Sequence, residues 1–207
     1  MRLIETEADL AEGAAHLAAL SPVWAGALAE IGPLPLRRRR DGFPAILNAV
    51  ASQQLSVASA DAILGRLVAA GFERPEAILD AGEDALRATG LSRPKIRYLT
   101  GIAAAGLDWE GLRGLPDDEV AERLVALPGI GRWTADIYLM FALGRADAFA
   151  PGDLALQEAA RLLHGLDARP SPKALAAIAE PWRPWRSVAA RALWAYYRLA
   201  KGREGVT

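Results

Sequence analysis

The stretch Leu127–Asp136, LPGIGRWTAD, decides how the rest of the chain is read. The helical pattern PDDEVAERLVAL (116–127) leads into it, with Val120, Leu124, Val125 and Leu127 as its apolar stripe, and the amphipathic run RWTADIYLMFALG (132–144) leads out as a second helix. Between them, one proline and two glycines stop the first helix and let the second begin at once. Glycine takes φ > 0 at no steric cost and carries no Cβ to keep a ligand off the backbone. The first turn of the next helix presents unpaired N–H groups at a positive dipole end, which suits an anion. Ile130, between the glycines, is expected to point inward and anchor the turn. A plain helix connector with a glycine C-cap is the competing reading, and Gly-x-Gly alone does not separate the two.

Outward from this point the punctuation is helical almost everywhere. Thr6 and Asp9 read as a capping pair. Ser21, Pro22 and Gly32 bracket a second helix with serine at the N-cap, proline at N1 and glycine at the end. The segment GPLPLRRRRDG (32–42) is denied regular structure by its prolines and glycines and is the one candidate lobe boundary near the front. Further helical segments follow, separated by short turns, and no alternating apolar run demands a strand. The expected fold is all-α, a single domain over 1–207 with two lobes.

Composition narrows the class further. Apolar residues make up 52% of the 207, enough for a real core. No apolar run reaches the ~18 residues of a membrane span, and the acidic start MRLIETEADL has no apolar signal core, so a cytoplasmic location is expected. With no cysteine, disulfides, thiolate metal sites and a cysteine-ligated iron–sulfur cluster are excluded. The net charge of −1 sets up no global field toward a polyanion. His16 and His164 have no second metal ligand at useful spacing and read as packing or surface residues. The run Arg37–Arg40 is either a solvated loop or a phosphate contact.

The full string Leu-Pro-Gly-Ile-Gly between two helices resembles the helix-hairpin-helix motif, spanning about 116–143, which grips the DNA backbone without reading sequence. That resemblance implies DNA contacts at Gly129, Ile130, Gly131, Arg132 and Thr134. It also implies that the backbone carbonyls of Val125, Leu127 and Ile130 would hold Na+ or K+. Beyond the second helix, DAFAPGDLALQEA resembles the Gly/Pro-Asp loop of the helix-hairpin-helix DNA glycosylases, here 147–153. On that match Asp153 is the catalytic aspartate. Its other reading is a helix N-cap, and both roles are compatible. Strand-cleaving members carry a lysine just after the hairpin; Trp133 stands there, implying hydrolysis without lyase chemistry.

GRWTAD is most similar to the DNA-3-methyladenine glycosylase II branch, in a short form without the N-terminal β-rich domain. Over about residues 43–200, two more segments fit. In ILNAVASQQLSVASA the resemblance puts the DNA wedge at Gln54, or at Leu55, with Gln53 and Ser56 as neighbouring contacts. In PWRPWRSVAARALWAYY, Trp194 matches a pocket tryptophan. Where the branch has a pocket tyrosine this chain has Ile137, with Tyr138 beside it as the candidate substitute. Trp133, Trp194 and Tyr138 are thus the base-pocket residues, whereas Trp24, Trp109, Trp182 and Trp185 are expected to pack.

The implied activity is removal of 3-methyladenine- or 7-methylguanine-type bases from double-stranded DNA by a monomer that needs no cofactor, in a bacterial cytoplasm with the nucleoid. Abasic-site repair enzymes would take the product. A cationic base leaves easily, so the demand is for a carboxylate near C1′ and for π faces. Two alternatives stay open: a glycosylase for other damaged or mismatched bases, and a non-catalytic DNA-binding module.

Overall fold

The computed structural model describes residues 1–202, in which eleven α-helices are joined by short turns. In order these are α1 (Glu7–Leu20), α2 (Pro22–Ile31), α3 (Phe43–Ser52), α4 (Val57–Ala69), α5 (Pro75–Ala88), α6 (Arg93–Ala104), α7 (Asp117–Val125), α8 (Arg132–Ile137), α9 (Leu154–His164), α10 (Pro172–Ile178) and α11 (Arg186–Lys201). The only extended pairing among the described residues is an isolated bridge between Leu3 and Arg145. No helix there is long and apolar enough to cross a membrane.

The expected caps form. Thr6 accepts the Asp9 amide while Asp9 accepts the Thr6 amide, closing a capping box on α1. Ser21 accepts the Trp24 amide ahead of Pro22, and Gly32 ends α2 at φ +71°. Gly82, at φ +72°, interrupts α5, so the stretch behaves as two helical pieces meeting at a kink.

The chain divides into two compact units. Among the described residues, one takes Met1–Arg38 and 139–202; the other is Arg39–Tyr138. The first break falls inside the Pro/Arg loop. Two of that loop's arginines are spent internally: Arg38 donates to the Ile4 carbonyl at 3.0 Å, and Arg40 pairs with Glu73.

In the terminal unit, α11 packs on α9, α2 and α1. Trp182 is its aromatic hub, with Trp24 edge-on at 5.2 Å, Phe149 at 5.8 Å and His164 stacked at 5.9 Å. Burial pushes the His164 imidazole below its usual range. Trp24, Trp182 and Trp185 are all buried, so these tryptophans pack as expected. Helices α1 and α11 approach so closely that a Cβ on Gly13 would lie 2.6 Å from Val188 and 2.8 Å from Trp185.

In the central unit, α5 packs along α6, α3 on α4 and α6, and α7 on α8. Trp109 lies edge-on to Phe43 at 6.1 Å. Val120, Leu124 and Leu127 are buried as one stripe at i, i+4 and i+7. Val125, assigned to that stripe from the sequence, is 43% exposed, because i+5 lies on another face of the helix.

The segment read as one helix from Arg132 to Gly144 changes pitch. It is α-helical to Ile137 and then π-helical over Tyr138–Ala142. The Met140 carbonyl accepts Nη2 of the buried Arg191 at 3.1 Å, so a side chain takes part in satisfying this turn.

Tyr138, the last residue of the central unit, is 3% exposed. Its hydroxyl donates to Asp41 Oδ1 at 2.5 Å and accepts the Gly42 amide at 3.1 Å, while Arg113 Nε holds Asp41 Oδ2 at 2.6 Å. Burial, with the Asp41 carboxylate adding, raises the phenol well above its ordinary range, so it stays a donor. Tyr138→Phe leaves a part-buried carboxylate oxygen and amide without this partner. It is expected to cost about 1–3 kcal/mol, read as a lower midpoint in thermal or urea unfolding.

Candidate functional site

The two glycines of the hairpin serve different ends. Gly129 has φ +77°, and a Cβ there would lie 2.6 Å from the Tyr98 ring, so both backbone and space demand glycine. Gly131 has an ordinary extended backbone, φ −95° and ψ 170°, and nothing within 4 Å of where its Cβ would be. Its lack of a side chain leaves open space beside the start of α8 and means that the N-cap residue itself makes no side-chain cap. Ile130 is 5% exposed and anchors the turn from inside. Its amide donates to the Leu127 carbonyl at 3.3 Å. Val125 ends α7, where backbone carbonyls outrun their intrahelical partners.

Around the start of α8 the side chains sort by exposure. Trp133 is 49% exposed, a large aromatic surface one residue into the helix. Arg132 reaches solvent but its Nε binds Asp136 Oδ1 at 2.8 Å. Burial raises the Asp136 carboxyl, against the pull of Arg132. Thr134 is buried, at 8% exposure, so its side chain faces the interior rather than a ligand.

Across the same unit, α3 ends in a tight turn before α4. Gln54 sits there at φ +57°, an uncommon backbone state for a residue with a side chain, and it is exposed. Leu55, next to it, is 40% exposed. Ser56 caps α4 by accepting the Ser59 amide. Gln53 turns away from both neighbours: its Nε2 donates to the Gly129 carbonyl at 3.1 Å. The structure thereby brings Gln53 and the hairpin together.

The terminal unit carries Asp153 and Trp194. Asp153 is the N-cap of α9, its Oδ1 accepting the Leu156 amide at 2.9 Å, as the capping reading requires. The same oxygen accepts the Trp194 indole N–H at 3.3 Å, which joins the two sequence candidates. Two donors on one oxygen fix the carboxylate's plane and orientation. The loop before it is tied down as well. Asp153 N donates to Ala150 O at 3.0 Å, and Gln157 Nε2 to Pro151 O at 2.8 Å. At the loop's start, Arg186 takes Asp147 in a bidentate grip (2.8 and 3.0 Å), with Arg183 adding a contact at 2.8 Å.

Behind Trp194 lies a stack that sequence reasoning missed. Phe141 is tilted 31° against Trp194 at 5.9 Å, and the Arg191 guanidinium lies 4.4 Å over the Phe141 ring. Arg191 is 5% exposed, held by the Ser187 and Met140 carbonyls, and desolvation pushes it down to about 10, still a cation at neutral pH. Nothing in the RSVAARALW pattern marks one arginine as buried; only packing does. Tyr138 is a strut rather than an open surface, its hydroxyl engaged by Asp41 and Gly42, and Ile137 beside it is buried at 8% exposure.

Known proteins share this sequence pattern and fold. Residues 47–184 match the model of the HhH-GPD superfamily base excision DNA repair protein. DNA-3-methyladenine glycosylase 1 of Schizosaccharomyces pombe is 32% identical over 208 residues, covering 95% of this chain and 91% of that protein. A solved structure of the S. pombe 3-methyladenine DNA glycosylase in complex with abasic DNA superposes with a TM-score of 0.77 at 30% identity, over 95% of this chain and 100% of that one. The DNA-3-methyladenine glycosidase of Bacillus halodurans gives 0.81 at 30% identity, over 97% and 95%. With an all-helical fold, a glycine hairpin and an aspartate-capped loop all in place, the chain belongs to the HhH-GPD superfamily of base excision DNA repair proteins.

Proposed function

We propose that this protein is a DNA-3-methyladenine glycosylase that hydrolyses the N-glycosidic bond of alkylated purines in double-stranded DNA and leaves an abasic site. The observation that carries this reading is the Asp153 carboxylate, oriented by the Leu156 amide and the Trp194 indole at the end of a braced loop. The names of its relatives support the alkylated-base assignment.

The chemistry follows from the substrate. A base such as 3-methyladenine or 7-methylguanine carries positive charge and is a good leaving group without strong protonation. As the bond lengthens, positive charge moves to the sugar, where a fixed carboxylate stabilises it. Asp153 supplies that charge and is suited to orient the attacking water. Extruding the base costs a few kcal/mol, least for a damaged base. Gln54 or Leu55 on the exposed turn fills the gap, while the hairpin backbone at Gly129–Gly131 and Arg132 hold phosphate. The π face of Trp194, beside Asp153 in the terminal unit, suits a cationic ring. Trp133 has no amine to form a Schiff base with the sugar, so the reaction stops at hydrolysis.

The carbonyls of Val125, Leu127 and Ile130 suit a hard monovalent cation, since all three donors are neutral oxygens at a helix end. Na+ or K+ there would add positive charge to the phosphate grip. No organic cofactor is called for. The enzyme works as a monomer in the cytoplasm with the nucleoid and hands an abasic product to the repair enzymes that follow.

On a duplex containing 7-methylguanine, wild type is expected to release the base and Asp153→Asn to be slower by at least about 100-fold. Equal rates would reduce Asp153 to a cap. Trp194→Phe keeps a ring but loses the N–H to Asp153, and should lower kcat about tenfold with a smaller change in KM. Borohydride should trap no covalent protein–DNA adduct; an adduct would overturn the hydrolytic assignment.

A further inference from the structure

Helix α6 presents three residues in step, Lys95, Tyr98 and Gly101, each three positions from the last and so neighbours along one side. Each touches a different part of the DNA-facing apparatus. Lys95 Nζ donates to the Ala51 carbonyl at 2.7 Å, in the last turn of α3 just before the exposed turn. Tyr98 lies against Gly129, and Pro128 lies so close over Gly101 that a Cβ there would come within 2.8 Å. The exposed turn and the hairpin thus rest on the same helix, on contacts spread over about 9 Å of its axis. Gln53 ties them directly through its 3.1 Å bond to the Gly129 carbonyl.

This arrangement also explains the backbone at Gln54. A left-handed residue with a side chain persists only where its surroundings over-determine it. Gln54 follows directly on the Gln53 tether and lies three residues from the carbonyl that Lys95 holds. An ammonium at the end of α3 is also favoured by that helix's dipole. Partial burial of Lys95 lowers its proton affinity, and the carbonyl is the acceptor that offsets the lost water.

We infer that Gln53 and Lys95 are positioning residues that lock the wedge turn to the phosphate-gripping hairpin, with α6 as the spacer, so that backbone grip and base extrusion are delivered by one rigid piece. Gln53 then acts through Gly129 and Gln54 rather than on DNA itself. The inference deepens the glycosylase reading and rests on it.

The test uses Gln53→Met and Lys95→Met, which keep side-chain length but cannot make these hydrogen bonds, with Lys95→Arg as the conservative control. Three quantities are read: affinity for undamaged duplex, affinity for a duplex holding a tetrahydrofuran abasic-site analogue, and the single-turnover rate of 7-methylguanine release. For Gln53→Met the undamaged affinity is expected to stay within about twofold, while release slows and abasic-site preference falls, each about three- to tenfold. Lys95→Met should lower the same rate and the same preference. Loss of its charge weakens both affinities alike and leaves their ratio alone, and Lys95→Arg should recover most of the ratio. The inference is overturned if Gln53→Met weakens both duplexes equally, as a direct DNA contact would, or if rate and ratio do not move. If wild type releases no alkylated base, the proposed function fails. The affinity ratio in Gln53→Met then decides the coupling, and a wild type without abasic-site preference counts against it.

Discussion

At Gly129 the backbone turns to φ +77° directly against the Tyr98 ring, leaving no room for a Cβ. That close approach, with Pro128 packed over Gly101, seats the turn on α6, while Ile130 is buried beside it. It also aims the Gly129 carbonyl at Gln53. Exposed Trp133 and the left-handed Gln54 each lie within a few residues of this contact and its Gln53 tether. Packing a glycine on an aromatic ring leaves the backbone of this turn both bare and rigid.

The terminal unit answers a different requirement, that of holding a carboxylate still. Asp153 serves as cap and as candidate catalytic group without conflict, because capping occupies Oδ1 and thereby orients the whole group. Trp194 shares that oxygen, so its indole N–H helps to hold the carboxylate in one orientation. Phe141 and Arg191 stiffen Trp194 from behind. A buried guanidinium is costly to desolvate. Here carbonyls of Ser187 and Met140 and the Phe141 ring offset the cost. The π-helical turn is part of the same bargain, since Met140 is one of its residues.

Much of this was legible because its causes are local. Capping boxes, proline at N1 and glycine at helix ends are written within a few residues, and Thr6, Ser21 and Gly32 behave as their spacing predicts. Asp153 stands out in the sequence through the resemblance of its loop, whose distance from the hairpin is fixed along the chain. Errors arose where a residue's role depends on a distant partner. Val125 looked like core by type yet lies off the buried face. Tyr138 looked like a pocket wall, but Asp41 and Gly42, far back in the chain, claim its hydroxyl. Gln53 and Gln54 are the same residue type side by side, and nothing local says that one faces the hairpin and the other the solvent.

The sequence alone dictates the all-α class and the glycine hairpin, since periodicity and punctuation act over short range, and its resemblance to the glycosylases marks the aspartate loop and Trp133. The division at Arg38 and Tyr138 into two units, the strut at Tyr138, the Arg191–Phe141–Trp194 stack and the Gln53 and Lys95 tethers were decided by the tertiary structure. Each depends on which polar group meets which partner once the chain is compact. Hydrogen bonds and buried charges are directional and short, so only the packed arrangement settles where they go.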